Sequence, residues 1–106
     1  MAILGIDYGA KKIGLALAEG QLAVPLRVIR YETRRALGEE IRRACVEHGI
    51  RTIVVGVPRD HNAIEPFLTW LRGEVQLPVV TEDEQLTTAF AKRLMRGWKG
   101  KADDDA

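Results

Sequence analysis

The sequence predicts an α/β domain: a mixed five-stranded sheet, an antiparallel three-strand meander plus two parallel strands, flanked by helices. Three observations predict it. Three apolar runs separated by short turns open the chain, at residues 2–7, 13–18 and 22–31. The apolar period then becomes helical, with Leu37, Ile41, Ala44 and Cys45 on one stripe. Beyond it, strand-like runs at 53–57 and 77–81 alternate with a second helical stripe.

Each element has its own reason. Gly9-Ala-Lys-Lys12 and Glu19-Gly20-Gln21 are turn sequences, and two short turns in succession imply an antiparallel meander. Pro25 has no N–H for a central ladder, so the third strand belongs at an edge. The first helix runs from Thr33 to His48, wet along Arg34, Arg35, Glu39, Arg42, Arg43 and Glu47, and Gly49 closes it. The β-branched run 53–57 reads as a strand buried on both faces. Ile64, Phe67, Leu68 and Leu71 mark a second helix, with Trp70 packing beside them. A short strand follows at 77–81, and Thr87 or Thr88 caps a third helix running to about Trp98. Right-handed crossovers then put the first strand at the centre of the sheet, the second and third to one side and the later strands to the other.

Composition narrows the class. A chain of 106 residues holds one domain, 1–106, with its own core. Hydrophobic residues at 46% beside 29% charged exclude a disordered chain. No apolar run nears the roughly 18 residues of a membrane span, and the amino terminus has its charges after its apolar stretch, the reverse of a secretory signal. One cysteine, Cys45, forms no internal disulfide and no zinc knuckle, and its place on the apolar stripe makes it a core residue. The expected location is the cytoplasm. The net charge of +1 hides an asymmetry: Asp103, Asp104 and Asp105 end the chain, and without them sixteen cations face twelve acids, a net +4. A modestly basic body is compatible with a polyanionic partner.

Three features carry chemistry. Asp7 ends the first strand just before the Gly9 turn, and a carboxylate there is costly unless solvated, paired or bound to a metal. Glu82-Asp83-Glu84 follows the last strand, at the carboxyl edge where open α/β sheets bind ligands. If that strand and the first flank 53–57, carboxylates converge into an oxygen-rich site for a hard divalent cation. Spacing alone leaves the choice between Glu82 and Glu84 open. Around them stand Lys11 and Lys12 after Asp7, Arg59 after the strand 53–57, and Thr87 and Thr88 after Glu84. Cations beside a carboxylate cluster suit a phosphate ester held by metal. His48 and His61 have no partner at ligand spacing.

Four blocks also resemble a known family. Gly5-Ile-Asp-Tyr-Gly-Ala-Lys-Lys-Ile-Gly-Leu-Ala-Leu17, Pro25-Leu26, Val55-Gly-Val-Pro58 and Asp83-Glu-Gln-Leu-Thr-Thr88 are similar, in order, to the YqgF/RuvX family of bacterial pre-16S rRNA nucleases. The resemblance covers residue 3 to about 95. It implies a ribonuclease H-like fold related to Holliday-junction resolvases, an acidic site for Mg²⁺ or Mn²⁺, and trimming of ribosomal RNA precursors. Asp7 matches the family's first catalytic aspartate, and Glu84 the glutamate of its Asp-Glu-Arg motif. The departures are Lys12 for an arginine, Gln85 for an arginine, and a shorter loop after Pro58 that lacks the family's Asn-Met-Asp-Gly-like segment. The family continues into a last helix whose first turn holds a third aspartate. Here that helix is expected to be absent, residues 99–106 to form a tail, and Asp103 or Asp104 to stand for the third carboxylate.

The expected function is metal-dependent hydrolysis of RNA phosphodiester bonds, in 5′-end processing of pre-16S rRNA. Asp7, Glu84 and Asp103 or Asp104 are the catalytic carboxylates, with Asp7, Glu84 and Asp104 on the metal. Lys11, Lys12, Arg59, Thr87 and Thr88 are the nucleic-acid contacts. The alternatives are a non-catalytic nucleic-acid-binding module and a junction-resolving DNA nuclease. The partner is nucleic acid, with no membrane, and the chain is a monomer or homodimer.

Overall fold

In the computed structural model, which describes residues 2–9, 11–19, 22–56 and 64–81, one sheet organises the chain. Its strands are β1 (Ala2–Asp7), β2 (Lys12–Glu19), β3 (Leu22–Arg30), β4 (Ile50–Gly56) and β5 (Val79–Thr81), with helices α1 (Arg34–His48) and α2 (Ile64–Glu74). The sheet order is β3-β2-β1-β4-β5. β1 pairs antiparallel with β2 and parallel with β4, and β4 pairs parallel with β5. The meander, the central first strand and the parallel pair are as expected. The third helix and Trp98 lie outside the described residues.

Strand alternation divides β1 between two faces. Ala2, Leu4 and Ile6 join Ile13 and Leu15 of β2 and Ile53 and Val55 of β4 in the hydrophobic core. Leu37, Ile41 and Ala44 of α1, and Phe67, Leu68 and Leu71 of α2, close it from above. Both helices therefore cover the same face, as two right-handed crossovers moving in one direction require. Arg42 of α1 and Glu74 of α2 meet at 3.1 Å, and Arg34 lies 5.6 Å over the Trp70 ring. Cys45 is buried in this core, and burial pushes its thiol up, so it stays protonated at neutral pH.

Local chemistry sets the boundaries. The Thr33 hydroxyl accepts from the Ala36 N–H at 3.1 Å, capping α1. Gly49 ends it in the left-handed region at φ 60°, donating its N–H to the Cys45 and Val46 carbonyls. β4 begins at Ile50, three residues earlier than expected, because its first residue already pairs with Ala2. β5 begins at Val79, two residues later than expected. Pro78 has no N–H, and it enters the ladder only by accepting from the Ile53 N–H at 2.9 Å. β3 is an edge strand, and the register shifts at Pro25: Leu15 opposes Arg27 but Ala16 opposes Pro25, so Leu26 is the extra residue of a bulge. Among the described residues no helix is long and apolar enough to cross a membrane.

The Gly49 cap yields a test. A Cβ there meets nothing within 4 Å, so Gly49→Ala adds backbone strain and no clash. The expected loss is about 1–2 kcal/mol in a urea titration, and an unchanged midpoint would show that the cap relaxes freely.

Candidate active site

Asp7 is the last residue of the central strand, half-buried, on the face opposite the helices. Its cross-strand partners are Gly14 on β2 and Gly56 on β4. Neither neighbouring strand sets a side chain directly beside the carboxylate. The parallel strands end on this same edge, since Ile6 is level with Val55 and Val55 with Thr81. The chain leaves β5 here, three residues before Glu84.

The turn after Asp7 is held tightly. A Cβ on Gly9 would lie 2.5 Å from the Lys12 carbonyl oxygen, so only glycine fits this close approach. The Tyr31 hydroxyl donates to the Gly9 carbonyl at 3.2 Å, and the Tyr31 N–H donates to the Lys11 carbonyl at 3.3 Å. Burial raises the Tyr31 phenol above its ordinary range; Tyr8 adds to this and Arg34 opposes it. The group stays protonated and remains a donor. The Tyr8 ring stacks on Phe67, centroids 4.4 Å apart, which anchors the first residue of the turn in the core.

Of the expected site residues, Asp7, Lys11 and Lys12 are brought to one edge. Lys11 is exposed and Lys12 half-buried at the start of β2. Lys12 is two residues from Gly14 and so shares the face of Asp7, with Arg30 of β3 directly opposite it. Glu84, Asp103, Asp104, Arg59, Thr87 and Thr88 lie outside the described residues. Among the described residues no three His, Cys, Asp or Glu side chains gather to hold a metal ion. His48 is exposed at the end of α1, away from this edge. The sequence reading missed Tyr31 as the support of the turn; its signal is the β2–β3 register, which no local pattern carries.

Comparison with known proteins bears on the family and the fold. The family described as RuvX, Holliday junction resolvase, matches residues 1–106. A Geobacillus kaustophilus protein named as a candidate pre-16S rRNA nuclease is 39% identical, over 90% of this chain and 78% of its own. A Rickettsia typhi protein of the same name is 31% identical, over 96% of this chain and 72% of its own. Among solved structures, T. thermophilus RuvC in complex with a Holliday junction substrate superposes with a TM-score of 0.57 at 16% identity, covering 94% of this chain and 79% of that one. That likeness shows the ribonuclease H-like fold. With the whole chain matched, this protein belongs to the RuvX family.

Proposed function

We propose that this chain is a metal-dependent nuclease that hydrolyses RNA phosphodiester bonds, acting in the cytoplasm on the 5′ end of pre-16S rRNA, with one domain, 1–106, carrying the activity. The observation that carries the reading is Asp7 at the shared carboxyl edge of the parallel strands, with glycine on both sides. The names of the relatives supply the substrate class.

Asp7, Glu84 and an aspartate of the tail, Asp103 or Asp104, form the ligand set, and oxygen donors of this kind suit Mg²⁺ or Mn²⁺. A divalent cation bound there supplies an activated water and neutralises charge developing on the phosphate. Asp7 fixes the position of that chemistry, because the strand beneath it is buried and paired on both sides. Lys11 and Lys12 hold the phosphate backbone from the Gly9 turn, and Arg59, Thr87 and Thr88 contact the same strand. The family's description favours a second substrate, branched DNA, and the same site serves it.

Asp7→Asn is expected to abolish cleavage of a labelled RNA stem with a single-stranded extension in Mn²⁺ buffer, with the fold retained by circular dichroism. A full rate in that variant overturns the assignment. Saturating binding without cleavage by the unaltered chain identifies a binding module, and preferential cutting of a four-way junction moves the substrate to DNA.

Gly9→Ala tests the turn. The 2.5 Å approach forces the Lys12 backbone to move, and a misplacement of about 1 Å costs on the order of 100-fold in rate. Cleavage at the unaltered rate would show that the turn takes no part.

A further inference from the structure

The arginines of the described residues sort by what neutralises them. Arg27 pairs with Glu40 at 3.1 Å, Arg35 with Glu39, Arg42 with Glu74 and Arg43 with Glu40. Arg34 lies over Trp70, and Arg72 donates twice to the Val79 carbonyl. Arg30 has no ion pair among the described residues, and neither do Lys11 and Lys12. Arg51 shares that condition, but it stands at the start of β4, the far end of the sheet from Asp7.

Arg30 and Lys12 are direct cross-strand partners. Directly opposed like charges, with Cβ atoms about 5 Å apart, destabilise a sheet. The pair is exposed to solvent on the Arg30 side, shares the face of Asp7, and is fixed at its end by the two bonds from Tyr31 to the Gly9 turn. Two opposed cations with no ion pair among the described residues, on the same face and edge as the candidate catalytic carboxylate, form a seat for an anion. Lys12 is one strand spacing across and two residues along from Asp7, about 8 Å, and Arg30 one further strand across, about 12 Å. The anion it takes is therefore a neighbour of the phosphate at Asp7.

We propose that Arg30 and Lys12 together seat a backbone phosphate of the nucleic-acid substrate on the β3 side of Asp7, Arg30 being a binding residue of the site. This rests on the nuclease reading above and adds the direction in which the strand crosses the sheet, over β1, β2 and β3.

The test uses full-length chain carrying Asp7→Asn, so that bound RNA stays intact, and measures affinity for a labelled single strand across a salt series. Adding Arg30→Gln is expected to weaken binding about fivefold to tenfold at low salt and to lower the slope of log affinity against log salt by about 0.7, the loss of one phosphate contact. Lys12→Gln is expected to give a similar loss and the double variant less than the product of the two, because the residues share one phosphate. Arg51→Gln serves as the control for net charge alone. Thermal melting checks folding: removing one of two opposed cations should leave the melting temperature equal or higher. If Arg30→Gln binds with unchanged affinity and slope while Lys12→Gln does not, or if Arg51→Gln loses as much, the seat is overturned and the nuclease reading survives. No RNA binding by the Asp7→Asn chain, together with no cleavage by the unaltered one, overturns both.

Discussion

The register of β1 against β4 is the constraint on which the rest of the structure depends. It sets Leu4 beside Ile53, Ile6 beside Val55 and Asp7 beside Gly56. Because side chains alternate along a strand, a slip of one residue would exchange the two faces. Ile6 would leave the core under Phe67 and Leu68, and Asp7 would enter it unpaired, at a cost of several kcal/mol. The same pairing that closes the core thus keeps the carboxylate on the face away from α1 and α2. Core and site are one specification here.

The edges of the sheet are guarded by different means. Ile53 takes the Pro78 carbonyl, which leaves that of Val79 on the outer edge of β5. Arg72 of α2 covers it with two N–H donors at 3.0 and 3.3 Å. On β3, Pro25 withholds a donor and the bulge at Leu26 bends the strand. Both devices blunt an edge against pairing with another chain.

Much of this was legible in the sequence, for identifiable reasons. Thr33 and Gly49 bound α1 because a hydroxyl cap and a left-handed glycine are local chemistry, readable without knowing the fold. Leu37, Ile41, Phe67 and Leu71 were readable because a buried helix face repeats. Asp7 was readable because a carboxylate ending an apolar strand conflicts with burial. The start of β4 was not, since Arg51 and Thr52 precede the solid apolar run, and it is the pairing of Ile50 with Ala2 that brings them into the strand. Tyr31 was not either, because its hydrogen bond spans 22 residues and depends on how β3 lies against β2.

That last dependence leads back to Pro25. Counting from Glu19 opposite Leu22, an unbroken ladder would place Lys12 opposite Ile29. Ile29 would then lie on the face of Asp7, and Arg30 would point toward α1. The extra residue at Leu26 shifts the ladder by one, so that Ile29 faces Ile13 and enters the core while Arg30 faces Lys12. The unbroken ladder would set Val28 opposite Ile13 instead, so the bulge exchanges a valine for an isoleucine at that place in the core. The bulge thus brings Ile29 into the core and sets Arg30 beside Lys12 on the face of Asp7. Deleting Leu26 would regularise the ladder with every other pair still in register, so Ile29 stays opposite Ile13 and Arg30 opposite Lys12. The deletion therefore costs only the packing of Leu26 against the core and leaves the cation pair in place, whereas Arg30→Gln removes the pair and leaves that packing intact.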